Sequence, residues 1–128
     1  MYYEVVVFVV SHTFSLFFYI PGIQFSFFAS HNQSSGLSVR HSNTIGDVNN
    51  CMFHHNLESG LHVYDCAVTN IHGDESRANN NSKYGLLAWN SGQIHLHVND
   101  ELKLASGNGL LNIQYENVED VVDDVLVF

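Results

Sequence analysis

Short alternations of apolar and polar residues, broken every few positions by Asn, Gly, Ser and Asp, run through the middle of the chain. They recur. Gly-Leu stands at Gly36-Leu37, Gly60-Leu61, Gly85-Leu86 and Gly109-Leu110, at spacings of 24, 25 and 24 residues. The flanks match as well. HNQSSGL and HNLESGL put His31-Asn32 in register with His55-Asn56, NNSKYGL follows, and ASGNGL ends the series. One and three residues after each Gly come Leu37/Val39, Leu61/Val63 and Leu86/Ala88, with Leu110/Asn112 as the fourth copy. A period of two is a strand; a helical repeat would show a 3.6-residue period. A second alternating pair follows at Thr69/Ile71 and Ile94/Leu96, with Ile45 and Val118 at matching offsets. A third apolar patch comes before the next turn, at Cys51–Phe53 and then Leu102/Leu104. Three short strands per repeat make one triangular coil. The expectation is an all-β solenoid over 23–115, of about four coils of 24–25 residues.

Stacking explains the residue choice. Coils stack at the inter-strand distance of about 4.8 Å, so equivalent positions lie above one another. Leu37, Leu61, Leu86 and Leu110 are then expected to form one internal aliphatic ladder. The Gly before each strand is expected at a corner with φ > 0. Asn and His of the corner can bond backbone groups or stack on the copy above. A lone coil cannot bury its apolar face, so at least three are needed.

Residues 1–22 and 116–128 stand outside the repeat. The first segment is mostly apolar from Val5 to Ile20, but no Lys or Arg precedes Arg40, and Glu4 occupies the place of a positive leader charge. His12 and Pro21 interrupt it short of a spanning length, and its Val and Phe favour strand. A cap strand or an upstream coil is therefore preferred to a signal or membrane anchor. In the last segment Val118, Val121, Val122 and Val125 have helical spacing, with Glu119, Asp120, Asp123 and Asp124 opposite. Its β-branched content pulls towards strand. In either form, Glu116 to Phe128 is expected to cover the open end of the last coil.

Charge narrows the partners. Four Lys and Arg against 13 Asp and Glu give a net charge of −9. That excludes a duplex nucleic-acid partner and speaks against an anionic membrane surface. Nine His offset much of that charge in acid. Cys51 and Cys66 are too few for a disulfide framework and read as two small buried side chains. At 128 residues, one domain is expected.

The motif N-x-x-x-G-L-x-V followed by V/I-x-I, between Ile23 and Val118, resembles the right-handed parallel β-helix repeat family, of pectin-lyase-like fold. The resemblance implies the fold; its members include polysaccharide lyases, glycoside hydrolases, adhesins and non-enzymatic adaptors. Polygalacturonase-like members carry Asn-Thr-Asp, Asp-Asp, Gly-His-Gly and Arg-Ile-Lys. Here Asp123-Asp124 sits in the acidic tail, His72-Gly73-Asp74 lacks the leading Gly, and Arg-Ile-Lys is missing. Pectate-lyase-like members need a Ca²⁺ carboxylate cluster with a catalytic Arg or Lys, and no cluster is in register with Arg40, Arg77, Lys83 or Lys103. With those enzymatic motifs missing, a non-catalytic module without a cofactor is expected.

Register also nominates surfaces. Four residues after each Gly come Arg40, Tyr64, Trp89 and Ile113; five after come His41, Asp65, Asn90 and Gln114. Arg40, Tyr64 and Trp89 are expected as an outward column, with His62, Asp65 and Asn90 beside it. Flat aromatic faces flanked by hydrogen-bonding groups suit sugar rings. His95 and His97 share a strand face, and His72 should stack with His97; three imidazoles can hold Zn²⁺ or Ni²⁺, though no carboxylate or thiolate completes the set. Asn32 and Asn80 head glycosylation sequons. Three readings follow. The first is a binding or scaffold module for polysaccharide. The second is a degenerate lyase or hydrolase, for which Asp65 and Asp74 are the only carboxylates to name. The third is an intracellular protein-interaction adaptor, which the absent signal peptide and the free cysteines favour. Exposed coil ends also allow end-to-end association.

Overall fold

The computed structural model describes residues 7–10, 13–16, 27–42, 44–116, 120–122 and 125–128. In chain order the strands are β1 (Val7–Val10), β2 (Thr13–Leu16), β3 (Phe27–Ser30), β4 (Leu37–Arg40), β5 (Ile45–Asn49), β6 (Cys51–His54), β7 (Leu61–Tyr64), β8 (Val68–His72) and β9 (Arg77–Asn79). There follow β10 (Tyr84–Ala88), β11 (Gln93–His97), the four-residue helix α1 (Glu101–Leu104), β12 (Ala105–Ser106), β13 (Leu111–Tyr115), β14 (Asp120–Val122) and β15 (Val125–Val127).

Every third strand returns to the same sheet. The first sheet runs β1-β4-β7-β10-β13, the second β2-β5-β8-β11-β15-β14, and the third β3-β6-β9-β12. Pairing is parallel throughout, except that β15 lies antiparallel to both β11 and β14. Between residues 28 and 100 the chain makes about three turns of this solenoid.

The two-residue period puts alternate side chains inside. Leu37, Leu61 and Leu86 are aligned by register and buried, with Val39, Val63 and Ala88 as the neighbouring row. Each such Leu, fully buried, contributes roughly 1.5–3 kcal/mol. In the second sheet Val48, Ile71 and Leu96 align inside, and Thr69 lies between Gly46 and Ile94. In the third, Phe53 pairs with Ala29 on one side and Ala78 on the other. A large ring between two methyl groups fills the interior without a clash.

The spine of the molecule is a buried Asn ladder. Asn32 donates from its backbone N–H and its side-chain amide to Asn56 Oδ1, at 3.2 and 3.0 Å. Asn56 does the same to Asn81, at 3.1 and 2.9 Å, and Asn81 to Asn108, at 3.0 and 3.0 Å. The amides of Asn56, Asn81 and Asn108 also donate to the carbonyls of Ala29, Phe53 and Ala78. At the last rung the acceptor comes from the same coil: Asn112 Oδ1 takes both bonds from Asn108, at 3.3 and 3.0 Å. Asn112 thereby stands in for the next coil.

That substitution corrects the fourth repeat. Asn112, not Gly109, occupies the place of Gly36, Gly60 and Gly85. Leu86 therefore pairs with Ile113, and Leu110 points to solvent at 59% exposure instead of joining the ladder. The repeat glycines also serve a purpose other than a φ > 0 corner. A Cβ on Gly60 would sit 2.7 Å from the Gly85 carbonyl oxygen and 2.9 Å from the Asn81 amide. Gly is demanded by the spine's close approach, and Asn112 is free of that demand. At this corner the left-handed residue is instead the one before each spine Asn: His31, His55, Asn80 and Gly107. Asn and His tolerate that conformation better than most residues.

Other expectations shift too. Ile45 pairs with Val68 and is 40% exposed, so the inward positions of β5 are Gly46 and Val48. Val118 lies outside the described residues. Leu102 and Leu104 belong to α1, and the third strand of that coil is Ala105–Ser106. Cys51 is buried, which pushes its thiol up to about 11, but Cys66 is exposed on a left-handed corner. The C-terminal segment forms a strand pair rather than a helix. Phe128 is buried, exchanges backbone bonds with Ile94 and stacks on Tyr115 at 5.1 Å.

Candidate functional site

The outward face of the first sheet is set by the same alternation. With Leu37, Val39, Leu61 and Val63 inside, the side chains of Arg40, His62 and Tyr64 emerge half-buried on the other face. Arg40 pairs with Tyr64 in register. Trp89 follows β10, and its N–H donates to the Val63 carbonyl at 3.0 Å, which brings it beside Tyr64's rung. Its side chain is 49% exposed. Ile113 does not extend the column, because it pairs with Leu86, and Gln114 pairs with Leu87. The next rung after Trp89 is Glu116, whose N–H reaches the Ala88 carbonyl at 3.1 Å.

Contacts within the face are specific. The His62 ring stacks on Tyr64 with centroids 4.2 Å apart. Burial lowers the His62 pKa, partly opposed by Glu58 and Asp65, so the ring is neutral at neutral pH and stacks without a charge. The column ends at a left-handed corner built from Asp65-Cys66 and Asn90-Ser91. There the Asn90 amide donates to the Asp65 carboxylate, and the Ser91 N–H donates to Glu116. Arg40 Nε is buried with no hydrogen-bond partner among the described residues. The face thus combines a stacked ring pair, an exposed indole, a guanidinium and an Asp–Asn pair.

The second sheet carries the histidines. His97 pairs with His72 in register, and their rings stack at 4.2 Å. His95 lies two residues away on β11 and bonds Gln93 at 3.1 Å. Among the described residues no group of three or more His, Cys, Asp or Glu is disposed to hold a metal ion. Sequence reasoning missed what His97 does instead. Its Nε2 meets Asn70 Oδ1 at 3.2 Å, and the Asn70 amide donates to Asp47 at 2.8 Å. The Asn70–Asp47 contact was legible, since the two share one row of the register, but the diagonal reach of His97, which is in register with His72, was not. It also missed a corner cluster: His31 stacks on His55 at 5.4 Å, and His54 lies edge-on to His55 at 5.0 Å. The repeated His-Asn pair announced the stack of His31 on His55 but not the third ring.

Asp65 and Asp74 lie beyond opposite ends of β8. A five-residue strand spans about 16 Å, which does not suit carboxylates acting together on one glycosidic bond. Asn32 is committed to the spine, whereas Asn80 is exposed.

No curated protein and no solved structure matches the chain. The family described as the right-handed beta helix region matches residues 28–100, more than half of its length. That span contains the Asn spine from Asn32 to Asn81 and the strands β4 to β11. The chain belongs to the right-handed β-helix family.

Proposed function

We propose that this chain is a non-catalytic β-helix module, of pectin-lyase-like type, whose first sheet binds carbohydrate. The contact surface is Arg40, His62, Tyr64, Asp65, Trp89 and Asn90. The observation that carries the reading is Trp89, 49% exposed beside the stacked His62–Tyr64 pair. An indole left in water on a sheet face is an apolar platform, and the Asp65–Asn90 pair beside it supplies hydrogen-bonding groups for hydroxyls. The strongly negative chain directs the choice towards neutral rather than acidic glycans.

A glycan-array screen of the purified chain, with Trp89→Ala alongside, tests this. Binding that the substitution abolishes supports the surface. A folded, β-rich chain that binds no glycan would sink it and leave a scaffold for another protein.

A further inference from the structure

The connector after β8 and its copy after β11 lie one coil apart and differ in length. From His72 to Ala78 the chain advances six residues; between their register partners, His97 and Ala105, it advances eight. The two extra residues are taken up around α1. They reappear in the spine, where Asn81 to Asn108 spans 27 residues against 25 for Asn56 to Asn81. Where the longer connector passes over the shorter one, a cavity of about 220 Å³ remains.

Its lining is unusual for this molecule. Arg77 and Lys103, two of only four Lys and Arg in the chain, line it together with Asp74 and Asp100. Arg77 is fixed in place, with Nη1 donating to the carbonyls of Asp74 and Ser76 at 2.7 Å each. Asp74 Oδ1 accepts from the Asn99 amide at 3.4 Å, and Asp100 Oδ1 accepts from the Lys103 N–H at 3.1 Å. Each carboxylate keeps a second oxygen, and the Lys103 ammonium forms no ion pair among the described residues. Buried Leu104 and half-buried Val98 form an apolar wall.

We propose that this cavity is a binding site for a single neutral sugar ring. The volume is below the roughly 300–1,000 Å³ of pockets for drug-sized ligands, so it admits one ring and not a chain. The four charged side chains of the lining sum to zero, and Arg77 Nη2 also lies 3.9 Å from Glu75 outside it, which weakens its pull on an anion further. An anion meets two carboxylates here, and a cation meets a guanidinium and an ammonium. A polyol satisfies both signs: its hydroxyls donate to Asp74 and Asp100 and accept from Lys103 and Arg77, while its carbons lie on Val98 and Leu104. The site uses none of the first-sheet residues and stands whether or not that surface binds glycan.

The test is an amide chemical-shift titration of the full chain with glucose, galactose, mannose and N-acetylglucosamine. Glucuronate and glucosamine serve as the charged counterparts. Saturable shifts at Asp74–Arg77 and Val98–Lys103, whatever happens at the first sheet, are expected with at least one neutral sugar. Asp74→Ala and Lys103→Ala should each weaken binding roughly tenfold, as loss of a charge-assisted hydrogen bond does. Both positions are exposed, so the spectrum of the sheets should persist in the variants. Trp89→Ala should leave this titration unchanged, which separates it from the first-sheet surface. No shifts at these amides, shifts that both variants retain, or tighter binding of a charged counterpart would each overturn the proposal.

Discussion

Asn56 shows how much one side chain does in this fold. Its Oδ1 accepts two bonds from the coil below, and its amide donates to Asn81 and to the Ala29 carbonyl. Removing it leaves buried donors and acceptors unpaired, at about 1–3 kcal/mol each. Asn56→Ala should therefore lower unfolding stability by at least about 2 kcal/mol in urea titrations. A loss below about 0.5 kcal/mol would show that water replaces the rung. Thr69 is the opposite case. It is fully buried between Gly46 and Ile94, and its hydroxyl has no partner among the described residues. Replacing an unsatisfied hydroxyl by a methyl of the same shape should stabilise, so Thr69→Val is expected to add about 1 kcal/mol. The same titration checks it, and a destabilised variant would mean that the hydroxyl is bonded in solution. At this scale the sequence displayed the repeated Asn and Gly but not their division of labour. Only the spacing of the coils reveals that the Gly is there to let Asn through.

Elements were legible where the period held. The alternation at Leu37/Val39, Leu61/Val63 and Leu86/Ala88 placed β4, β7 and β10 with the correct inward face. It failed in the last coil because two residues are inserted there. The Gly-Leu pair kept its spacing while the spine moved, so Gly109-Leu110 mimicked a register that belongs to Asn112-Ile113. Ile45 misled for a related reason: the inward position it was assigned belongs to Gly46, which shows no apolar signal. The C-terminal segment could be read as helix or strand from its valines. Antiparallel pairing of β15 with β11 decides for strand, since an open sheet edge offers backbone partners that an isolated helix would forgo. Phe128 anchors this closure against Tyr115 and Ile94. Phe128→Ala should cost about 3 kcal/mol, with increased aggregation in light scattering as the β11 edge opens. A variant as stable and monodisperse as the parent would show that the strand pair does not close the end.

On the scale of the whole molecule, the histidines couple stability to acidity. Burial lowers the pKa of His54, His62, His95 and His97 below the usual 6.5. Neighbouring rings add to this at His54, through His55 and His31, and at His97, through His72 and His95. A base whose pKa is depressed by folding takes its proton more readily when unfolded. The stability it allows is complete above 6.5 and is lost as pH falls through and below that value. The urea midpoint should therefore be lower near pH 5.5 than near pH 7.5. An unchanged or higher midpoint in acid would mean that relief of the −9 charge outweighs these four groups. Candidate surfaces were legible to the same depth as the register that supplied them. Arg40, Tyr64 and Trp89 follow from counting along the repeat, whereas the cavity between the two connectors arises from an insertion that no repeat announces.

The sequence by itself determined the period, the strands and the inward rows, because stacking at one fixed distance makes each coil answer to the one below. The tertiary structure alone decided how the solenoid ends. Termination depends on atoms four or more residues apart meeting in space. Asn112 turns back to complete the rung of Asn108, and Phe128 reaches Ile94 across an antiparallel pair. Neither contact follows the repeat, so a pattern that reports only repetition has no means of showing it.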